Sequence, residues 1–302
     1  MSVLLHAESR VLVQGITGRE ARLHVPYMRA YGTRVVAGVS PGHEGEIVDG
    51  VPVYHTVRRA LRAHEIDIAV LFVPARFVRD AALEAIEAGI PFVVILAEGV
   101  PHHDTAEILA RGAEAGVRVL GPNSQGLMSP GKAKVGGAGG DRPQLIFTPG
   151  PVGIMSRSGG MGAEVAMALT KAGIGQSTYV AVGGDLLVGT DFTDLLPLFE
   201  HDPETQAIVL FGEPGTNREE AAAALLAQGA CTKPLVAYVA GEFLETLPQG
   251  MHFGHTGALI DGDAGKPSRK KAVLRGAGAL VAERLDDIVP LVRKALATAA
   301  RV

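Results

Sequence analysis

Two glycine-bearing turns in this 302-residue chain have the residue types to hold an anion. The first, Gln14-Gly15-Ile16-Thr17-Gly18-Arg19, follows the apolar run Arg10 to Gln14 and opens a helical stretch. Its glycines let backbone approach a phosphate, the helix start offers free N–H groups, and Thr17 and Arg19 add donors. The spacing lacks the third glycine of a dinucleotide fingerprint, so a phosphate cradle and a purely geometric turn both stay open. The second, Ser156-Arg157-Ser158-Gly159-Gly160-Met161-Gly162, places two hydroxyls and paired glycines at another helix start. A tight turn with a serine N-cap is the simpler reading. The return of glycines in Gly183-Gly184-Asp185 at the next strand end favours an anion cradle.

Two further stretches carry acid–base or nucleophilic chemistry. Phe253-Gly254-His255-Thr256-Gly257-Ala258 sets an imidazole among glycines, open to close approach and able to act as nucleophile or base. There are 10 histidines, and a lone one is more often a surface or structural residue. Gly212-Glu213-Pro214 supplies a carboxylate that could fix one imidazole tautomer, although position in the chain does not bring the two together.

The elements that must position these turns follow from hydrophobic patterning. Short apolar runs at Arg10 to Gln14, Arg34 to Val39, Val51 to Val53, Ile68 to Val73, Phe92 to Leu96 and Arg118 to Leu120 alternate with helical stretches. Those stretches begin near Arg19, Val57, Val78 and Thr105. Continuous apolar strands spaced by amphipathic helices predict a parallel sheet covered on both faces, a Rossmann-like α/β domain over 1–128. Residues 129–150, with Gly136-Gly137, Gly139-Gly140 and three prolines, read as a linker. The pattern then restarts with strands at Val152 to Met155, Thr178 to Val182, Ala207 to Phe211, Leu235 to Ala240 and Leu280-Val281. Helices are expected at Gly162 to Ala172, Phe192 to His201, Arg218 to Gln228, about Ser268 to Gly276, and from Leu285. A flavodoxin-like α/β domain over 151–302 is the expectation.

Composition removes several function classes. Charged residues make up 20% and the net charge is −4, which excludes a charge-driven disordered chain and shows no basic stripe for nucleic acid. No apolar run reaches the roughly 18 residues of a membrane span. The first ten residues do not read as a signal peptide. Cys231 is the sole cysteine, which rules out an internal disulfide and argues against a cysteine-based metal site. A cytoplasmic protein is expected.

The stretches VLVQGITGRE, YGTRVVAGVSPG, GPNSQGLMSPGK, GIMSRSGG, GIGQSTYVAVGGD, FEHDPETQAIVLFGEPG and GHTGALIDG occur in this order over essentially the whole chain. Together they resemble the alpha subunits of succinyl-CoA synthetase, within the ADP- or GDP-forming acid–CoA ligases. The resemblance implies that the N-terminal domain binds coenzyme A, with Thr17, Gly18, Arg19 and Glu20 at its phosphates and Leu96, Ala97 and Glu98 as a further contact. It implies that His255 is phosphorylated during turnover, that Glu213 orients it, and that Ser158, Gly159 and Gly160 receive the phosphate. The implied partner is a beta subunit of ATP-grasp type, in an alpha–beta or alpha2–beta2 assembly, holding ATP or GTP with Mg²⁺. The phosphoryl group would pass from nucleotide to His255, then to a substrate carboxylate, and the CoA thiol would displace it.

Departures from the family pattern bear on the substrate. His43 stands for the usual lysine of the CoA region, and Asn123-Ser124-Gln125 for Asn-Cys-Pro. Gly160 replaces a threonine, Ala163 replaces a tyrosine beside Glu164, and Met251-His252-Phe253 replaces a basic pair. The Ser-Arg-Ser-Gly-Gly-Met run and the Phe-Gly-His triplet look more like ATP-citrate lyase and citryl-CoA synthetase. Loss of an aromatic ring near the carboxylate site opens space for an acid bulkier than succinate. The competing readings are a CoA-binding or regulatory relative without turnover, and a nicotinamide-dependent dehydrogenase suggested by the Rossmann-like pattern alone.

Overall fold

The computed structural model describes residues 3–247, 254–260, 263 and 265–299. Met251, His252 and Phe253, with Asp261 and Gly262 at the end of the GHTGALIDG stretch, lie outside the described residues.

The apolar runs of the first half form strands β1 (Arg10–Gln14), β2 (Arg34–Val39), β3 (Ile47–Val48), β4 (Val51–Tyr54), β5 (Ile68–Leu71), β6 (Phe92–Ile95) and β7 (Arg118–Leu120). Helices α1 (Arg19–Ala30), α2 (Val57–Ala63), α3 (Ala75–Glu87) and α4 (His102–Ala115) cover them. All four residues of β5 and of β6 are buried, as strands with helices on both faces require. Each such Val, Leu or Ile contributes about 1.5–3 kcal/mol of burial. The sheet order is β3-β4-β2-β1-β5-β6-β7, parallel apart from the two-residue β3. Counting only the parallel strands, this is 3-2-1-4-5-6, the dinucleotide-fold order with its switch point between β1 and β5.

The second sheet comprises β8 (Gly126–Ser129), β9 (Ala133–Gly136), β10 (Pro149–Ser156), β11 (Gln176–Ala181), β12 (Ala207–Gly212), β13 (Leu235–Val239) and β14 (Leu280–Val281). Helices α5 (Gly159–Lys171), α6 (Phe192–His201), α7 (Arg218–Ala227), α8 (Pro267–Gly276) and α9 (Ile288–Ala299) pack on it. Its order, β14-β13-β12-β10-β11-β8-β9, reduces for the parallel strands to 2-1-3-4-5. That is the flavodoxin-like order expected from the sequence.

The linker expected at 129–150 is where the structure differs. β8 and β9 form an antiparallel hairpin that continues the second sheet, Met128 opposite Tyr179 and Leu127 opposite Val135. Every residue of both strands is buried, Lys134 included. Glycines mark close strand approach here, not flexibility: a Cβ on Gly126 would stand 1.9 Å from the Val135 carbonyl. The second unit therefore begins at β8. α5 also starts at Gly159, three residues before its expected position, because the Ser158 hydroxyl accepts the Met161 N–H at 3.3 Å. The last helix begins at Ile288, after a 3₁₀ turn at Leu285–Asp287.

The hairpin joins the two halves. The Thr33 hydroxyl donates to the Lys134 carbonyl at 2.6 Å, Ser129 to the Leu5 carbonyl at 2.7 Å, and Gly131 N–H to the Tyr31 oxygen at 2.9 Å. One buried apolar cluster runs through both sheets, from Val11, Val13 and Ile16 to Leu127, Val135, Met155 and Val180. Among the described residues no helix is long and apolar enough to cross a membrane.

Candidate active site

In open α/β sheets ligands lie beyond the carboxyl ends of the strands at a switch point, and both sheets place their glycine turns there. In the first, Gly15 takes φ +77°, and a Cβ would stand 2.6 Å from the Phe72 carbonyl, so only glycine lets the β1 and β5 turns close on each other. Gly18 caps α1 without a side-chain hydrogen bond, so the first N–H groups of the helix carry no protein cap. Beside them opens a cavity of about 570 Å³ lined by Gly18, Arg19, Glu20, His24, Phe72 and Leu96, among others. Ser124 and Gln125, just before β8, and Gly137, just after β9, complete its lining. Uncapped helix N–H groups, the exposed Arg19 and an apolar wall fit an elongated ligand with phosphate at one end.

The sequence-derived CoA residues divide. Gly18, Arg19, Glu20, Leu96 and Ala97 line this cavity. Thr17 is beside it, its hydroxyl bonded to Ser40 at 2.9 Å. His43 is exposed, with Nδ1 2.7 Å from Glu46, and does not line it. Glu98 does not line it either; its negative charge acts on His255 instead. A larger cavity of about 780 Å³ opens at the amino ends of the same strands, by Arg10, Arg34 and Asp67. There Arg10 is already paired with Asp67 at 2.8 Å, and no glycine turn reaches it.

The second switch point gathers residues from three successive strand ends: Ser158 after β10, Gly184 after β11 and Glu213 after β12. His255, far on in sequence, is laid over them. Its Nδ1 stands 2.9 and 3.1 Å from the two Glu213 carboxylate oxygens. A carboxylate only accepts, so Nδ1 carries the proton and Nε2 keeps its lone pair in the neutral ring. The Glu213 hydrogen bond raises the imidazole above its ordinary 6.5; burial opposes this, the charges of Glu213 and Glu98 add to it, and Arg157 counters. Gly184 makes room for the ring, since a Cβ there would stand 2.2 Å from the imidazole Cγ.

Sequence reasoning named Arg157 only as part of a turn, yet it is fully buried and holds the site together. Its guanidinium donates to the carbonyls of Glu213, Pro214, Gly215 and Gly257 at 3.0–3.1 Å. It also pairs with Glu219 at 3.4 Å. Glu219 accepts the Glu213 N–H at 3.0 Å and binds Lys270. Burial alone would raise the Glu219 carboxyl, but the charges of Arg157 and Lys270 hold it below its ordinary range. Asp185 is the second such residue: it accepts from Asn123 at 2.9 Å and from Thr256 at 3.2 Å, tying the histidine segment to the β11 turn. The carboxylate in Gly183-Gly184-Asp185 was the one sequence signal for it. Nothing in the sequence marked Arg157 or Glu219, because charged residues in turns and helices ordinarily face solvent.

At the start of α5, Gly159 and Gly160 present N–H groups that have no acceptor within the helix. Gln125 packs on Gly159, where a Cβ would stand 2.6 Å from the Gln125 Cβ. Gln125 also lines the cavity of the first unit, so the two switch points adjoin.

Comparison with known proteins agrees with this geometry. Residues 6–99 match the CoA binding domain, and residues 149–295 the succinyl-CoA ligase like flavodoxin domain. The chain is 45% identical to succinate–CoA ligase [ADP-forming] subunit alpha 2 of Archaeoglobus fulgidus, over 98% of this chain and 100% of that one. It is 42% identical to the ADP-forming sulfoacetate-CoA ligase subunit SauD of Bilophila wadsworthia, over 98% and 100%. Among solved structures, ATP citrate lyase of Methanothrix soehngenii in complex with citrate and coenzyme A superposes with a TM-score of 0.91 at 28% identity. That match covers 99% of this chain, which spans 51% of the lyase chain. The chain belongs to the alpha-subunit family of ADP-forming acid–CoA ligases.

Proposed function

We propose that this chain carries a phosphoryl group on His255 Nε2 between a nucleoside triphosphate and a carboxylic acid, and holds the coenzyme A that takes the acyl group. The nucleotide, ATP or GTP with Mg²⁺, is bound on a beta subunit of ATP-grasp type. The observation that carries the reading is the two-oxygen grip of Glu213 on Nδ1, which leaves Nε2 as the one ring nitrogen able to attack phosphorus.

Glu213 fixes the tautomer before attack and offsets the positive ring once phosphorus is bound. Arg157 holds the carbonyls on both sides of the pair, so ring and carboxylate keep one relative position. The start of α5 then offers the N–H groups of Gly159 and Gly160, with the Ser158 cap, to the phosphate. A substrate carboxylate attacking phosphorus there becomes an acyl phosphate and frees His255. Gly18, Arg19 and the uncapped start of α1 would hold the phosphates of coenzyme A, which supplies the attacking thiol. Leu96 and Ala97 would wall its apolar arm, and Glu20, largely exposed, stands 3.9 Å from His24.

The acid is a di- or tricarboxylate larger than succinate. A Cβ on Gly160 would meet no atom within 4 Å, so its smallness is not forced by packing and leaves room at the cradle. A cytoplasmic enzyme accords with the sole cysteine, Cys231, which is free and buried. The test is phosphate release by the complex with its beta subunit across a panel of acids. Release should need both coenzyme A and acid, with malate, citrate or larger acids ahead of succinate. Clear preference for succinate would contradict the substrate assignment, and release without coenzyme A would contradict the reaction.

A further inference from the structure

A cluster of buried charges adjoins the Glu213–His255 pair. Glu219 lies at its centre, paired with Arg157 and with Lys270, and all three residues are fully enclosed. One Glu219 oxygen accepts the Glu213 N–H at 3.0 Å and faces Arg157 at 3.4 Å; the other takes Lys270. Lys270 also donates to the Thr216 carbonyl at 3.0 Å and to Glu220 at 2.8 Å. A third cation, Arg218, donates to the Asp185 and Leu186 carbonyls at 2.7 and 2.9 Å and faces Arg157 as a like charge. Charges this deep need partners, and Glu219 is the carboxylate that balances Arg157 and Lys270 together.

Arg157 has one donor left over. Its terminal nitrogens bond four carbonyls, yet Nε finds no hydrogen-bond partner among the described residues. Nε stands 3.8 Å from Glu213 Oε2, the same oxygen that lies 2.9 Å from His255 Nδ1. A shift of about 1 Å would close that gap to a hydrogen bond. Glu213 is therefore contested between the imidazole that holds it and a buried guanidinium with a donor to spare.

We infer that Glu219 is a positioning residue for the nucleophile: by occupying Arg157 and fixing the Glu213 N–H, it keeps the Glu213 carboxylate on His255. Without the Glu219 charge, Arg157 would draw on the Glu213 carboxylate beside it, and the ring would lose its acceptor at Nδ1. The neutral imidazole would then carry its proton on either nitrogen, and only part of the population would keep a lone pair on Nε2. The hydrogen bond to Glu213 is the main influence raising the imidazole, so its loss would also bring the ring down. Glu98 would still raise it, Arg157 would still lower it, and Asp185 would still hold the neighbouring Thr256 at 3.2 Å.

The test uses the full chain, comparing wild type with Glu219→Gln and with the double variant Glu219→Gln, Lys270→Gln. The double variant removes both members of the buried pair, so the net charge is that of wild type and no ammonium loses its partner. Nitrogen-15 NMR of the His255 ring should show the Nδ1-protonated tautomer in wild type. Both variants should show a mixture of the two tautomers and a lowered imidazole pKa. With the beta subunit present, the rising limb of phosphorylation should move to lower pH and its plateau should fall about 10-fold, with the KM for ATP within about twofold. Folded variants that keep the wild-type tautomer and pKa would overturn the assignment, as would a deficit confined to the KM. Where the single variant does not fold, the double variant decides; unfolding of both would overturn the assignment by making the cluster a scaffold only. Only the kinetic readout rests on the function proposed above. A wild-type complex that never phosphorylates His255 would overturn that function, and the tautomer measurement would still decide the role of Glu219.

Discussion

Glu213 acts on His255 in two opposed ways, and pH separates them. Gripping Nδ1 raises the imidazole pKa, so the pairing stabilises the fold fully below the ordinary 6.5 and that stability is lost as pH rises through the raised value. The nucleophile needs the reverse, because Nε2 can attack only when it carries no proton. Phosphorylation should therefore climb with pH along a limb whose midpoint lies above 6.5. In Glu213→Gln that limb should move down and the maximal rate should fall by about 100-fold or more, since the amide no longer selects the tautomer or balances the charge. NMR titration of the His255 ring alongside phosphorylation rates checks both; an unmoved limb would contradict the role given to Glu213. Gly184→Ala is a steric counterpart, as the new methyl would stand 2.2 Å from the ring. It should abolish phosphorylation while coenzyme A binding, read by calorimetry, persists.

The two helix starts show which glycines the elements require. At Gly15, φ +77° and a 2.6 Å approach to the Phe72 carbonyl make alanine costly, by about 1–3 kcal/mol in denaturant titration, with weaker coenzyme A binding. At Gly160 a methyl meets nothing within 4 Å, so Gly160→Ala should hold or raise stability by up to about 1 kcal/mol. Equal loss at both would show that packing around α1 and α5 is misread. Most elements were legible because apolar strands alternate with amphipathic helices and glycine or proline marks the ends. The β8–β9 hairpin was not, because Gly136-Gly137 and Pro130 have the composition of a loop, whereas the hairpin's place in the sheet comes from pairing β8 with the distant β11. Pairing partners far along the chain leave no local periodic signal.

At the scale of the whole molecule, two α/β units face each other across Gln125, and one apolar cluster keeps them in register. The sequence placed Glu213 and the Ser158 turn on separate strand ends and His255 in a glycine-flanked stretch, but their meeting depends on Arg157, a buried cation that the sequence names only as part of a turn. It likewise could not place His43 outside the cavity or His24 within it, since both depend on how the chain closes. The dinucleotide-fold strand order alone would also suit a nicotinamide coenzyme. Calorimetry on the chain should show coenzyme A binding and no comparable NAD binding; the reverse would make the first unit a dehydrogenase-type domain. The central claim, a phosphoryl group carried on His255, has a direct test. The chain is incubated with its beta subunit and γ-labelled ATP, and the label is located by acid lability and peptide mass. Wild type should take up acid-labile label on the peptide bearing His255, discharged by acid substrate and coenzyme A, while His255→Asn takes up none. No label on wild type, or equal label on His255→Asn, would contradict the account.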